Sequence, residues 1–451
     1  MSIKYSLVLA ALVAGTMGAQ TSFAAVSAEE AAKLKTTLTP LGAEKAGNKD
    51  GTIPAWDGGL TKPIPGPKQG DIPIDLFPGE KPILQITAKN AAQYTDKLTE
   101  GTLALFKKFP DTFRVDVYPT HRTGSAPQYI YDNTFKNATR CKTKDKELSV
   151  EGCYGGIPFP IPKTGAEVMW NYLLRVEPEA YEFGFKNIVG SADGSRTLAT
   201  RNDNYWNVPY FYKEGSVEKF NGEYTLQRMG ATAPPIKAGE QFVSHSSTDA
   251  THPLTVWQYL VGQRRVRRAP TVGYDTPDFV ASGANYFDEV QGLWGGLDHY
   301  DWKLIGKKEM YVPYNNNRYV GTKVDEYFVQ HHVNPDKMRW ELHRVWVVEA
   351  TVAAGKRHAV PKRRYYMDED NWIMTLMDGY DAEGKLWRTS QMTPFVVPSL
   401  PAVMIKPVIV FNLQANTYSA VQFLGDEYFR IVPRKPESFY TGEAAAADSG
   451  R

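Results

Sequence analysis

Residues 257–270 read Trp257-Gln-Tyr-Leu-Val-Gly-Gln-Arg-Arg-Val-Arg-Arg-Ala-Pro270. An aromatic, alternating run ends at Gly262, and a second run follows in which Arg264, Val266 and Arg268 alternate with Gln263, Arg265 and Arg267. Period-two alternation on both sides of a glycine turn predicts a β-hairpin with one covered face and one face in water. Similar strand–turn–strand units fill the C-terminal half of the chain, which therefore reads as mainly antiparallel β-structure.

The longest of these units begins at Trp340. Its alternate positions form one strand face, made of Trp340, Leu342, Arg344, Trp346, Val348 and Ala350. Further polar turns at 368–371 and 381–384 separate the strands that follow. We predict a mainly β, α+β fold: a large, strongly curved antiparallel sheet, an incomplete β-barrel with covering helices and an irregular N-terminal arm.

The N-terminal third has a different composition. Residues 47–82 are rich in Gly, Pro and Asp, which predicts an irregular arm laid over the body. A helix is predicted from Thr87 to Pro110, and a second one from Thr164, where Glu167 completes a capping box. We predict three parts: a signal peptide at 1–24, an arm and helix at 25–130, and a sheet domain at 131–451 with a helical insert near 164–175.

The chain opens with the features of an export signal. Lys4 gives a positive start, an apolar run follows from Leu7, and the residues before a cut after Ala24 are small. The apolar run is too short to span a bilayer, which disfavours the alternative of a retained anchor helix. The mature protein is predicted to lie in the periplasm, soluble or peripherally associated with the outer membrane.

Charge and cysteine content narrow the function classes. The formal net charge of +2 does not suggest a nucleic-acid partner, so any basic function must be local. The two cysteines, Cys141 and Cys153, are close together in an exported chain, which predicts one disulfide. A metal pair or redox centre is the alternative, but neither a CxxC motif nor a nearby histidine supports it.

Motifs that carry catalysis are absent from the sequence. It contains no HExxH, no GxSxG and no phosphate-binding loop. The turn from Asp368 to Asn371 superficially resembles a calcium loop, but it lacks the glycine and the closing glutamate, so we interpret it as a polar hairpin turn. We predict no catalytic residue, metal or cofactor, although a zinc site assembled from distant histidines stays open.

Aromatic and basic side chains supply the candidates for ligand binding. The arginines of the opening hairpin suit phosphate or carboxylate groups, but they also suit ion pairs with Asp275, Asp298, Asp301 or Glu309. Likewise, the 10 tryptophans and 26 tyrosines suit either a pocket or a core. The predicted ligand-binding residues are Trp257, Tyr259, Arg264, Arg268, Trp302, Trp340, Trp346 and Trp372.

Several segments together resemble a known family. They are Thr39-Pro-Leu-Gly-Ala-Glu44, Asn48-Lys-Asp-Gly-Thr-Ile-Pro-Ala-Trp-Asp-Gly-Gly59, Val117-Tyr-Pro-Thr-His-Arg122, Gly155-Gly-Ile-Pro-Phe-Pro160, Gly262-Gln-Arg-Arg-Val-Arg-Arg-Ala-Pro270, Asp301-Trp302 and Lys307-Lys-Glu-Met-Tyr-Val-Pro-Tyr-Asn315. The chain resembles an uncharacterised proteobacterial periplasmic family labelled outer-membrane lipoprotein-sorting-like, with a domain of unknown function. The resemblance covers essentially the whole mature chain and implies a half-barrel similar to LolA, LolB and RseB.

The resemblance also implies a function and its partners. It suggests a soluble periplasmic carrier or receptor for a hydrophobic small molecule or lipid. An outer-membrane barrel-like protein and an inner-membrane exporter are the implied protein partners. Two alternatives stay open: a non-catalytic sensor or docking scaffold for a membrane export complex, and a hydrolase of envelope lipids or glycans.

Overall fold

The computed structural model describes residues 25–62, 64, 74–269, 272–397, 400 and 402–449. The predicted signal peptide at 1–24 lies outside the described residues. The elements up to residue 173 are α1 (Ala28–Ala32), β1 (Leu84–Thr87), α2 (Glu100–Lys108), β2 (Arg114–Val117), α3 (Gln128–Arg140), β3 (Lys142–Lys144), β4 (Ser149–Glu151) and α4 (Gly165–Leu173).

Strands dominate the remainder of the chain. The elements are β5 (Ala180–Gly190), β6 (Arg196–Asn207), β7 (Glu223–Ala233), β8 (Gln241–Ser247), β9 (Leu254–Leu260), β10 (Arg265–Arg268), β11 (Tyr300–Pro313), α5 (Asn317–Val320), α6 (Val324–Tyr327), β12 (Trp340–Val352), β13 (Lys362–Asp368), β14 (Met374–Tyr380), β15 (Leu386–Val396), β16 (Val403–Asn412), β17 (Thr417–Phe423), β18 (Phe429–Ile431) and α7 (Gly442–Ser449).

One large sheet contains 16 of the described strands. Its order is β1-β2-β12-β13-β14-β15-β16-β17-β5-β6-β7-β8-β9-β10, with β11 beside β12 and β18 beside β5. Every pairing is antiparallel except the single parallel contact of β12 with β2. Strands β10 and β1 end the order without pairing to each other, so the sheet is open. The predicted fold class, a large curved antiparallel sheet that does not close, is confirmed.

The hairpin that opened the sequence argument is present at one edge of this sheet. Strands β9 and β10 pair in register, with Arg268 opposite Trp257 and Arg265 opposite Leu260. The turn between them ends at Arg264, whose φ of 49° puts it in the left-handed region. The turns predicted at 368–371 and 381–384 also join paired strands, β13 to β14 and β14 to β15.

Both faces of the sheet are buried at its central strands. Strand β16 shows this, because Val408 and Val410 join one core while the alternate Ile409 and Phe411 join a second core. A near-continuous apolar run is typical of a strand covered on both sides. We call the first side the inner face, covered by α4 and by residues 272–299. The outer face is covered by α2, α5 and α6.

Residues 272–299 join the two edge regions of the sheet. They follow β10 and lead into β11, which pairs with β12 at the far side of the strand order. We call residues 272–299 the crossover segment. Because it must pass from one edge to the other, it lies over the inner face, where Phe287, Val290 and Trp294 enter the core.

The structure corrects one helix and confirms another. A single helix from Thr87 to Pro110 is wrong: Thr87 is the last residue of β1, where it pairs with Arg114 of β2, and its N–H donates to Asn90 Oδ1 at 2.7 Å. Helix α2 starts later, capped by the Thr99 hydroxyl, which accepts from the Thr102 N–H. Helix α4 is confirmed with Thr164 as its cap.

The disulfide is also confirmed, with Cys141 and Cys153 joined at a Cα–Cα distance of 4.7 Å. It ties the end of α3 to the residues after β4. Among the described helices, none has the length and apolar character needed to cross a membrane.

Candidate functional site

Two buried ion pairs fix the crossover segment to the sheet. Arg363 on β13 binds both oxygens of Asp288, at 2.6 and 3.0 Å. Arg388 on β15 binds both oxygens of the neighbouring Glu289, at 2.5 and 2.7 Å. All four side chains are buried. Burial raises the pKa of Asp288, but Arg363 and a nearby histidine outweigh it and hold that pKa below its ordinary value.

Close packing holds the next residues of the crossover segment. The Tyr172 hydroxyl of α4 donates to the Gln291 carbonyl, and Arg175 donates to Gln291 Oε1 at 2.9 Å. Gly292 has a φ of 82°, and a Cβ there would lie 2.4 Å from both Met374 Sδ and Met392 Cε. Only glycine fits this position, so the segment is held between α4 and the sheet.

A small cavity lies between the crossover segment and the inner face. Its volume of about 30 Å³ gives room for one or two water molecules. Its lining residues are Phe185, Asn187, Gln227, Met229, Phe242, Asp278, Val280, Phe287, Val290, Trp294, Val421 and Gln422. Burial raises the pKa of Asp278 to about 6. In this conformation the space under the crossover segment is therefore too small for a lipid.

Lys406 lies beside this cavity inside the core. Its ammonium group donates to Gln422 Oε1 and lies 4.5 Å from the centre of the Phe183 ring and 5.8 Å from that of Trp206. Among the described residues, no carboxylate lies within 4 Å of it. Burial lowers the pKa of Lys406 to about 7, and the more distant Glu177 opposes that effect. Lys406 is thus a buried amine. Aromatic rings lie around its ammonium group, and it forms no ion pair with a carboxylate of the described residues.

A larger groove opens where strand β5 begins. Its volume is about 620 Å³, which is in the range of small-molecule sites. Its lining residues, mainly apolar with charges among them, are Pro127, Gln128, Tyr129, Ile130, Glu177, Pro178, Glu179, Ala180, Lys213, Leu400, Ile431, Val432, Pro433 and Arg434. Glu177 in the groove accepts a 2.9 Å hydrogen bond from Tyr181, whose ring stacks on Trp206. The groove therefore borders the aromatic cluster around Lys406.

A third cluster surrounds the turn between β13 and β14. His343, Asp368 and Asp370 offer ligand atoms within 4.8 Å of one another, an arrangement that could hold a metal ion. However, the Arg122 guanidinium binds both oxygens of Asp370, at 2.6 and 3.0 Å. Burial, with a further rise from Asp370, lifts the pKa of Asp368 well above its ordinary value. Arg122 thus already pairs with one of the acids that a metal would require, and burial favours the neutral form of the other.

The same cluster attaches the N-terminal arm. Arg122 also donates to the backbone carbonyls of Glu44 and Pro54, at 2.7 and 3.3 Å. The turn is a hairpin turn, as predicted, but its side chains are buried rather than facing water. We interpret the cluster as a charged clamp between the arm and the sheet.

The eight predicted ligand-binding residues fall into separate places. Trp346 and Trp372 stack at 6.1 Å, and Trp302 packs beside Tyr365 at 5.7 Å, all against the inner-face core. Trp340 belongs to the outer-face core. The Trp372 indole N–H donates to the Leu41 carbonyl at 2.8 Å, so this ring holds the arm.

The hairpin residues lie at the opposite edge. Trp257 packs on His245 and on the cluster that contains Tyr440, near α7. Tyr259 is buried, whereas Arg264 and Arg268 are exposed. The structure does not bring the eight residues into one site, and their role in ligand binding stays a prediction. Lys406 was missed, although a lone charge within an apolar run of strand type was a readable signal.

These observations define a large open β-sheet protein with a filled inner face and an apolar groove at one end. The chain belongs to the DUF1329 family, described as a protein of unknown function, whose model matches residues 85–445. The resemblance read from the sequence is thereby confirmed. The chain is 41% identical to the uncharacterized protein PA3922 of Pseudomonas aeruginosa over 371 residues, 82% of this chain and 81% of that protein.

The solved structures that match this chain are more distant in sequence. A DUF1329 family protein from Desulfovibrio piger is 13% identical, with a TM-score of 0.38 over 59% of this chain and 92% of its own. A structure described as an outer membrane lipoprotein-sorting protein domain, from Vibrio parahaemolyticus, is 14% identical. Its TM-score is 0.41 over 62% of this chain and 98% of its own.

Proposed function

We propose that this protein binds a hydrophobic, lipid-like molecule in the periplasm and acts as a carrier or receptor in envelope transport. The observation that carries the proposal is the groove of about 620 Å³, because a ligand of drug or lipid size fits that volume. Its apolar lining supplies affinity through burial, at roughly 25 cal/mol for each Å² removed from water. The surrounding charges, Glu179 and Arg434 among them, orient a polar end of the ligand.

The inner face would take up the ligand only in a second step, after the ligand has bound in the groove. Its cavity of about 30 Å³ holds no lipid while the crossover segment is in place. Opening it would separate Asp288 from Arg363 and Glu289 from Arg388, so these two buried ion pairs oppose opening. The groove is therefore the proposed resting site of the ligand.

An outer-membrane barrel-like protein and an inner-membrane exporter are the proposed partners.

A second candidate function is a docking scaffold that carries no ligand. The filled inner face favours it, since a protein that only docks to a membrane complex needs no internal space. The carrier binds an apolar ligand in the groove and the scaffold does not, so one binding experiment separates the two functions.

The test is native mass spectrometry of the protein purified from the periplasm, followed by titration with a fluorescent apolar probe such as N-phenyl-1-naphthylamine. We expect a co-purifying apolar molecule, and probe binding that the extracted lipid displaces. Replacing a groove residue by a charge, Val432→Asp, is expected to weaken probe binding at least about tenfold.

The matched control is Ile305→Asp, which places the same charge at an exposed apolar residue of β11. It should leave probe binding unchanged. A protein that carries no added mass and does not bind the probe, with its circular dichroism intact, would contradict the carrier proposal and favour the scaffold.

A further inference from the structure

Two turns at one end of the sheet expose aliphatic side chains. Ile236, in the turn between β7 and β8, is 85% exposed, and Val261, in the turn between β9 and β10, is 41% exposed. The turns are neighbours, because Gln241 pairs with Tyr259, and a Cβ on Gly239 would lie 3.1 Å from Val261 Cγ2. We call residues 234–239 and 261–268 together the basic tip.

Four exposed arginines follow directly on Val261. They are Arg264, Arg265, Arg267 and Arg268. Within the described part of the chain, none of them has a carboxylate within 4 Å. Among the residues that the structure describes, their one side-chain hydrogen bond runs from Arg267 to Gln258, at 3.4 Å.

Three of the four acids that the sequence offered as partners are engaged elsewhere, and the fourth, Asp301, lies on β11 opposite Thr351 of β12. Asp298 binds Lys356, Glu309 accepts from Asn48, and Asp275 accepts from the Ala359 N–H. The arginines of the basic tip are therefore exposed to solvent and form no ion pair with a described residue, although the whole chain carries a formal net charge of only +2. A strongly local charge of this kind favours an anionic partner at this end of the molecule.

We propose that the basic tip docks on a bilayer that contains anionic phospholipids. Guanidinium groups bind phosphates through paired donors, and aliphatic side chains beside them enter the boundary between head groups and acyl chains. Docking on such a bilayer explains both the exposed arginines and the exposed aliphatic side chains beside them. Arginines on an edge strand also discourage strand pairing between copies, but that role gives no reason to expose Ile236 beside them.

The docking surface is separate from the proposed ligand site. Strand β5 runs from Ala180, in the groove, to Gly190, at the end that carries the basic tip. Eleven residues of strand span about 35 Å, so the groove stays open to water while the tip contacts lipid. This proposal does not depend on the function proposed above.

The experiment is co-sedimentation of the mature full-length protein with vesicles. One set contains phosphatidylglycerol and phosphatidylcholine at about 3:7, and the other contains phosphatidylcholine alone. We expect binding to the anionic vesicles that weakens steeply as salt rises, because the Debye length shortens. One basic residue near such a surface strengthens binding about fivefold, so Arg265→Gln/Arg268→Gln should weaken it about 25-fold.

Matched variants test each part of the surface. Ile236→Asp should weaken vesicle binding at least tenfold, whereas Ile83→Asp, at another highly exposed isoleucine, should not. Arg357→Gln/Lys385→Gln removes two exposed charges elsewhere and should preserve binding. Equal binding to both vesicle types, equal losses in the control variants, or capture of an extended acidic peptide in place of vesicles would overturn the proposal.

Discussion

Replacing Lys406 by methionine should stabilise the protein, and the gain should depend on pH. The ammonium group is buried and hydrogen-bonds Gln422, with no carboxylate within 4 Å among the described residues. Burial lowers its pKa from an ordinary value of 10.5 to about 7. At 1.36 kcal/mol per pKa unit, that shift costs the folded state about 5 kcal/mol when the lysine is charged in the unfolded chain.

The sign follows from proton binding. Between pH 7 and 10.5 the unfolded chain holds a proton on Lys406 that the folded chain has lost. The free energy of unfolding of the unmodified protein therefore contains a Lys406 contribution that rises with pH across this window. Lys406→Met removes that contribution, so its advantage should be largest below pH 7 and should shrink by about 2 kcal/mol between pH 7 and pH 9.

The assay is urea unfolding of both proteins at pH 7 and pH 9. Leaving Gln422 Oε1 without a donor costs about 1–3 kcal/mol, but that cost is equal at both pH values and cancels in the comparison. The control is Lys385→Met, at an exposed turn. It should change the free energy of unfolding by the same amount at pH 7 and at pH 9. An advantage of Lys406→Met that is the same at pH 7 and pH 9 would refute the reasoning.

Three further predictions concern stability. Arg363→Met should lower the free energy of unfolding by about 3–5 kcal/mol because Asp288 then stays buried with His358 as its remaining partner, and adding Asp288→Leu should recover much of the loss in denaturant titrations. Replacing Cys141 and Cys153 by serine should cost about 3 kcal/mol relative to the disulfide-bonded parent, measured by urea unfolding without reductant. Hydrogen bonds to a carboxylate and a carbonyl raise the pKa of His245 against the lowering by burial. Its stabilisation should therefore be full below pH 6.5 and fade above it, and thermal unfolding at pH 5.5 and 8 should show no such loss in His245→Gln.

Local sequence patterns predicted much of the β-structure because alternation and turns are short-range signals. The hairpin at Arg264 and the turn after Asp368 were both read correctly for that reason. The helix expected from Thr87 failed because residues 84–87 pair with β2 and Ala91–Tyr94 form only a short 3₁₀ helix before α2. Helical spacing of apolar residues does not distinguish this arrangement from one long helix. The period-two alternation of side chains also did not show that the central strands are covered on both faces.

The candidate site was less accessible to sequence reasoning, since its parts are far apart in the chain. The groove joins residues near 130, 180 and 432, and no spacing rule connects them. The tryptophans were counted as a group, yet Trp346 and Trp372 lie on the inner side while Trp257 packs near the C-terminal helix. Pairing of Asp288 with Arg363 also depends on a chain path that a single sequence does not specify.

The pairing of β17 with β5 has a consequence for how the protein folds. It joins two blocks of consecutive strands, β5–β10 and β12–β17, and the hydrogen bond from the Gln422 N–H to Asn187 bridges 235 residues. Neighbouring hairpins within each block form after short loop closures, whereas this seam must wait for a long one, which is entropically costly and slow. The register also shifts at the seam between Ala420 and Phe423, which leaves fewer ladder bonds to hold it. We therefore expect the two blocks to be the early folding units and the seam between them to set the overall folding rate.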